Sequence, residues 1–581
     1  MSGDAETVEN RVDEEICYMI SLTAEQKTIE GIFCTTTEMY VIPAYQRPYS
    51  WGFDQFYELY KDLMGAYKEN ESYFLGNIIM ARSKSYDNDG KNFVVDGQQR
   101  IITLWTLLKM LALHLPDINP LQRALTVEQW TGDKNMPKID SQIFETNDNE
   151  AIKSVLAFDK ASLEARYKEV LTNDVINENK CNSRVEEALL YFYQQFVVQQ
   201  KDLDYLGDFA QFLMKKVTML PIVQSADEQR DAENKALTIF ETINNRGMDL
   251  EDADIFKARL YDSAYEDEQR QEFINMWVDF KSECNALRLS VDDVFRYYSH
   301  VIRGRERITT NEKKLREFFS NESFSPLKTQ SYKSVMEDLN KILSILKYLN
   351  NERGASDEVG NWLQIMSAYT NQYPTYSIIV YLYYHDVEKE DEKQDFVVFL
   401  QSLVRYCFYM GSTTTVKFKI YDFIKVIANN GKIDPNYVNN LTPDSFNRLG
   451  RLLGAYALLA FYLDSGQPIP VKYTIDKIVN VRDEDTLNDN WEYETIDDIC
   501  KSIGNMVVMD LPKRYNSLQE KYAYYATSEM EYVRSIFKSP DFSFTDWKNR
   551  NDHLKGVLLK YFAKPEENDK QAETEKLQGL S

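Results

Sequence analysis

Histidine is nearly missing from this chain. Only four occur in 581 residues, at His114, His300, His385 and His553, so chemistry that needs an imidazole base has few places to sit. Cysteine is sparse as well. The six (Cys17, Cys34, Cys181, Cys284, Cys407 and Cys500) include no Cys-x-x-Cys pair, which excludes a disulfide framework or thiolate zinc site and points to reduced thiols. No apolar run reaches the ~18 residues that a membrane helix needs. The longest, over 452–463, reads as a core helix. The first residues are polar and acidic, with neither the basic nor the apolar segment of a secretory signal. The expectation is a cytoplasmic protein with no membrane partner.

Basic charge is also in deficit. The 67 Lys and Arg residues face 92 Asp and Glu, for a net charge of −25. A protein that coats nucleic acid indiscriminately is thereby excluded, although a local DNA groove is not. The densest basic stretch, Arg303, Arg305, Arg307, Lys313, Lys314 and Arg316, reads as a solvated helix–loop–helix corner. The 39 tyrosines and 30 phenylalanines do not interleave with arginine as single-strand binders require, so they read as packing residues. The remaining composition is that of a globular chain long enough for several domains.

The most informative stretch is Val94-Val95-Asp96-Gly97-Gln98-Gln99-Arg100. A short β-branched and aromatic run precedes it and a continuous apolar run, from Ile101 to Leu111, follows. It therefore reads as a strand, a glycine turn and a buried helix. Such a turn suits phosphate, because Gly97 admits close approach and the first helical N–H groups point at an anion. Arg100 can fork onto phosphate oxygens, and Asp96 can hold a magnesium ion or orient a water. The competing reading is a plain corner with solvated polar residues.

A second stretch lies about fifty residues earlier, Ile42-Pro43-Ala44-Tyr45-Gln46-Arg47-Pro48-Tyr49-Ser50-Trp51. Phe74-Leu75-Gly76-Asn77 lies between the two. Phe240-Glu241-Thr242-Ile243-Asn244-Asn245-Arg246-Gly247-Met248-Asp249-Leu250, with Asp254 and Lys257, follows them. In this order the four segments resemble the N-terminal domain of GmrSD-type modification-dependent restriction proteins, whose pattern runs IPxYQRxYxW, FLG, DGQQR with LTTL, then FxxINxxGxxLxxxDxxK. The chain departs slightly at Ile101-Ile102-Thr103-Leu104. The resemblance implies a ParB/sulfiredoxin-like fold that binds and hydrolyses a nucleoside triphosphate with magnesium. Carried over to this chain, it implies Asp96, Gln98, Gln99 and Arg100 as catalytic residues, with Asp96 also on the metal. Gly97, Tyr45, Gln46, Arg47 and Thr103 would line the nucleotide.

The expected architecture is an α+β ParB/sulfiredoxin-like domain, then a mainly α-helical domain, then a small degenerate HNH-like α+β region. The boundaries read as an acidic tail over 1–20, the DGQQR domain with helical insertions over 21–265, helices over 266–465, the HNH-like region over 466–563 and a disordered tail over 564–581. Locally, 22–34 reads as a lead-in helix, Pro43 and Pro48 hold the segment between them extended, and 121–149 reads as a loop-rich insertion. Helical periodicity runs over 161–216, and 217–223, broken by Pro221, reads as an edge strand.

The C-terminal region resembles the family's HNH nuclease module in scaffold, through Tyr473 to Ile478, then Ile503-Gly504-Asn505-Met506, Tyr515-Asn516, Trp547 and Arg550. Where the family pattern has its catalytic histidine, this chain has Lys477. An ordinary lysine, with a pKa of about 10.4, is protonated at neutral pH and cannot take a proton from water. Lys477, Asn505 and Asn516 therefore read as a degenerate, inactive nuclease site. His553 lies elsewhere, in the last helix, and reads as a surface histidine. The expected function is a nucleotide-dependent component of a restriction or phage-defence system acting on DNA, modified or phage-derived, with an active nuclease subunit or a second copy as partner. The alternative is a non-enzymatic nucleotide- or DNA-sensing scaffold for an active homologue. A nickase using an unrecognised base is a third reading.

Overall fold

A computed structural model describes residues 21–84, 90–128, 134–199, 203–244, 252–353, 355–369, 371–387, 389–410, 413–429, 443–446, 449–481, 483, 496–513, 517–538 and 542–563. The expectations for 1–20, 245–250, Asn516 and 564–581 lie outside the described residues. The fold is mixed α/β and divides into two units, Met1–Ile274 and Asn275–Ser581.

In the first unit the elements run β1 (Ser21–Ala24), β2 (Lys27–Thr28), α1 (Ile29–Phe33), β3 (Met39–Ile42), α2 (Phe53–Glu69), β4 (Tyr73–Ser83), β5 (Lys91–Asp96) and α3 (Gln98–His114). Then come α4 (Asn119–Arg123), β6 (Thr126–Glu128), β7 (Lys134–Pro137), β8 (Ile139–Ser141), α5 (Asp148–Ala157), α6 (Lys160–Val170), β9 (Leu171–Thr172), β10 (Val175–Ile176) and α7 (Arg184–Tyr193). Last are α8 (Leu203–Lys216), β11 (Val217–Ala226), α9 (Gln229–Asn244) and α10 (Asp252–Ser263), and the division between the units falls within α11 (Asp267–Ala286). Seven strands form one mixed sheet in the order β1-β11-β4-β5-β3-β8, with β2 also on β11. β4 and β5 pair as an antiparallel hairpin, whereas β3 runs parallel to both β5 and β8.

Alternating side chains give the sheet two apolar faces. Tyr40, Ile42, Ile78, Met80 and Val94 enter a large core with α3, while Met39, Val41, Ile79, Ala81, Phe93 and Val95 enter a second one with Ala232, Ala236 and Phe240 of α9. α3 is buried at every position except Arg100 and Leu113, as its continuous apolar run implies.

Four local expectations are corrected. Residues 22–34 are not one helix, because β1 and β2 pair with β11 before the short α1 begins. β11 is an interior strand, parallel to β4 on one side and lined by β1 and β2 on the other. Pro221 is tolerated because β2 pairs with 218–219 and β1 with 222–225, so the proline falls in the gap between them. The 121–149 stretch is not merely a loop, since β8 adds to the main sheet beside β3. The 161–216 helices are interrupted by the β9–β10 hairpin.

The second unit is mainly helical: Val291–Arg305, Leu315–Asn321, Pro326–Thr329, Tyr332–Glu352, Glu358–Ser367, Tyr373–Tyr384, Glu390–Met410, Thr413–Ile427 and Leu453–Ser465 precede an antiparallel ribbon of β12 (Thr474–Lys477) and β13 (Met506–Met509). Three helices follow, Leu518–Tyr525, Glu531–Ile536 and Phe544–Phe562. The basic corner is not wholly solvated. Arg303 is 2% exposed, with its guanidinium 4.3 Å from the Tyr421 ring centre. Among the described residues no helix is long and apolar enough to cross a membrane.

Candidate nucleotide pocket and the ribbon of the second unit

Asp96 ends β5, and Gly97 turns the chain with φ +93° into the first residue of α3. A Cβ at position 97 would stand 3.2 Å from the Asn77 carbonyl oxygen. Glycine is therefore required both by the positive φ and by the close approach of β4. The turn leaves the N-terminus of a 17-residue helix open to one cavity, where its unpaired N–H groups and dipole favour an anion. Arg100, one turn in, approaches Asp96 at 3.4 Å. Their side chains keep 17% and 27% of their exposure, so both stay accessible. Gly76, at φ +113°, makes room for Arg100, because a Cβ there would run into the guanidinium.

The cavity measures 470 Å³, within the range of small-molecule sites. Asp96, Gly97, Gln98, Gln99 and Arg100 line it from one side, and Tyr45, Gln46, Arg47 and Trp51 from another. Phe74 and Asn77 of β4, Phe240 of α9, and Asp254 and Ile255 of α10 complete it. Burial raises the Asp96 carboxyl above its usual range, against the opposing pull of Arg100, the Gly97 N–H and Arg47. A carboxylate oxygen beside phosphate is the donor set magnesium prefers, so Asp96 fits such an ion.

The two glutamines clip the Pro43–Trp51 segment onto α3. Gln98 Nε2 donates to the Arg47 carbonyl at 2.8 Å, which leaves Gln98 Oε1 buried without a hydrogen bond. Gln99 Nε2 donates to the Pro48 carbonyl at 3.0 Å, while its Oε1 accepts from the N–H groups of Ser50 and Trp51 at 2.9 and 3.2 Å. Gln46 Nε2 donates to the Val95 carbonyl at 2.8 Å. Thr103 is wholly buried and does not line the cavity. It donates to the Gln99 carbonyl at 2.7 Å and so accepts from the Tyr49 hydroxyl at 2.6 Å. The segment is not held fully extended, because Gln46 N–H bonds back to the Pro43 carbonyl at 3.0 Å and closes a turn.

Sequence reasoning missed the outer supports. Asp148 accepts the Tyr49 N–H at 2.8 Å. Lys257 of α10, 1% exposed, reaches the Gln46 carbonyl at 3.3 Å and pairs with Glu145. Lys257 belonged to a recognised motif, but Glu145 and Asp148 lay in a stretch without periodicity.

Residues 29–261 match the family model described as the GmrSD restriction endonuclease N-terminal domain. Over those residues the chain carries a GmrSD-type N-terminal domain. All four recognised segments fall inside the matched residues, including the 470 Å³ cavity of this GmrSD N-terminal domain. The domain makes this a restriction or phage-defence protein that acts on DNA. No curated protein matches the chain.

In the second unit, Lys477 ends β12 opposite Met506, and its carbonyl accepts from the buried Lys521. Asn505 is wholly buried, with its amide accepting the Val479 N–H at 2.9 Å and donating to the Val479 carbonyl at 2.8 Å. Its polar capacity thus closes the ribbon. Trp547 donates to Ser502 at 2.8 Å, and Arg550 donates to the Met506 carbonyl at 2.7 Å. His553, 62% exposed, pairs with Asp464 at 2.6 Å. Among the described residues no group of three or more His, Cys, Asp and Glu side chains is placed to hold a metal ion.

Proposed function

We propose that the Asp96–Arg100 cavity binds a nucleoside triphosphate and hydrolyses it, and that this step licenses DNA restriction. The observation that carries the reading is the glycine turn, which brings the α3 N-terminus and the half-buried Arg100 into one 470 Å³ cavity. The helix N–H groups and Arg100 hold the phosphates, with Arg47 nearby to add positive charge. Asp96 orients the attacking water and, with its proton affinity raised by burial, accepts a proton as the bond to the terminal phosphorus forms and the bridging P–O bond breaks. Arg100 stabilises charge on the transferring phosphoryl group. Asp96 would hold a magnesium ion, which would supply charge neutralisation at the phosphate oxygens. Gln98 offers its free Oε1 to the water or the nucleotide, and Gln99 acts by holding the Pro48–Trp51 wall.

With Lys477 in place of the histidine, the 466–563 region serves as a scaffold, and the cleaving base comes from an active nuclease subunit or a second copy. The test is phosphate release from each of the four nucleoside triphosphates with magnesium, with and without DNA, by wild type and Arg100→Ala. Turnover that disappears in Arg100→Ala supports the reading, and stimulation by DNA ties it to restriction. Binding without turnover leaves a sensing scaffold instead.

A further inference from the structure

A second cavity, of 210 Å³, shares Tyr45, Leu237 and Ala258 with the nucleotide pocket. Its polar groups satisfy one another only in part. Tyr45 is 4% exposed, and its buried hydroxyl faces the Glu233 carboxyl, which pulls on its proton without a well-formed hydrogen bond between them. Gln229 donates its amide N–H to Glu233 at 2.6 Å, which leaves its own Oε1 buried and without a partner. The cations at this cavity are already engaged. Arg230 pairs with Asp262 at 2.9 Å and lies over Tyr265 at 4.1 Å, and Arg270 lies over Tyr261 at 5.4 Å and donates to the Ala264 carbonyl at 3.3 Å. What remains open is mostly acceptor: an amide oxygen, a carboxylate and one hydroxyl.

The walls are largely aromatic. The Tyr45 and Tyr261 rings pack on each other, 5.9 Å apart by centroid and tilted by 51°, and Phe93 adds a third aromatic surface on which one base can rest. The volume of 210 Å³ equals roughly seven waters at ~30 Å³ each, about the bulk of one heterocyclic base. We propose that this cavity is a base-recognition subsite for a nucleobase carrying an exocyclic amine. The amine donates to Gln229 Oε1 and Glu233, and the Tyr45 hydroxyl takes up a neighbouring ring position. The base belongs either to the triphosphate bound at Asp96–Arg100, a source that rests on the function proposed above, or to a DNA nucleotide turned out of its stack.

Cytidine and uridine separate the possibilities, since they differ at this edge by an amine against a carbonyl. The full chain is titrated calorimetrically with each nucleoside, with CTP and UTP, and with duplexes carrying one unpaired cytosine or uracil. Wild type is expected to favour cytidine over uridine about tenfold, the worth of one well-placed hydrogen bond. Tyr45→Phe should cut that preference at least about threefold without lowering the thermal midpoint, because it deletes only an unmatched hydroxyl. A preference repeated among triphosphates assigns the base to the nucleotide, and one repeated among duplexes assigns it to DNA. Equal binding of cytidine and uridine, or a ranking untouched by Tyr45→Phe, overturns the subsite and leaves a water-filled cavity. A midpoint lowered by several degrees in Tyr45→Phe also overturns it, since the hydroxyl would then be bonded within the protein. Loss of triphosphate binding in Arg100→Ala with the nucleoside preference intact separates the two sites. Triphosphate binding unchanged in Arg100→Ala sinks the nucleotide reading alone.

Discussion

Replacing Gln99 by leucine separates a catalytic role from a positioning one. The leucine keeps the buried volume but removes an acceptor from two N–H groups, those of Ser50 and Trp51, and a donor from the Pro48 carbonyl. Three unmatched groups at about 1–3 kcal/mol each would total several kcal/mol if the segment stayed in place. Residues 47–51 are only partly buried apart from Tyr49, so the segment can lift into water and limit the loss to about 2–4 kcal/mol. Hydrogen exchange at 49–51 should accelerate at least about thirtyfold, and the thermal midpoint should fall by several degrees. Gln99→Glu gives the control: its oxygens still accept both N–H groups, but the Pro48 carbonyl faces a charge instead of a donor, so the loss should be intermediate. The assay is peptide-resolved hydrogen exchange alongside thermal unfolding. Unchanged exchange at 49–51 in Gln99→Leu, with turnover alone abolished, would refute the positioning role and return Gln99 to the chemistry.

Three other substitutions follow from the same geometry. Gly76→Ala places a side chain at φ +113° and against the Arg100 guanidinium, so triphosphate affinity should drop at least about tenfold in titrations and stability by about 2 kcal/mol. Asp96 holds its proton above the usual carboxylate range, so its contribution to stability is greatest at low pH and declines as pH rises from its unfolded value through its folded one. Without magnesium, lowering the pH through that range removes a negative charge from the pocket and should tighten triphosphate binding. Asp96→Asn should flatten this component when the two titrations are compared. Asn505→Ala breaks both bonds from the wholly buried Asn505 amide to Val479, and differential scanning calorimetry should show a loss of about 2–4 kcal/mol.

How much the sequence disclosed varied with the strength of local pattern. The β5–Gly97–α3 corner was legible because a β-branched run, a glycine and a continuous apolar run each carry their own signal. β11 read as an edge strand because a proline normally stands there, and only the gap between β1 and β2 makes its interior place tolerable. The helix Tyr373–Tyr384 carries no amphipathic stripe to mark its bounds, being buried over most of its surface. At the pocket, the residues brought together were readable from the resemblance, but their partners were not. That the Gln99 amide would serve backbone at Pro48, Ser50 and Trp51 depends on a crossing of two segments fifty residues apart, which no local pattern records.

The burial of α3 also bears on how this protein can change over generations. In the 17 residues of that helix only Arg100 and Leu113 reach solvent, so nearly every mutation there alters the core and is tolerated or lost according to packing. Of the two, Arg100 faces the cavity. It can be exchanged with little injury to the fold, which leaves a single codon in this helix where selection can retune the phosphate contact proposed above independently of stability.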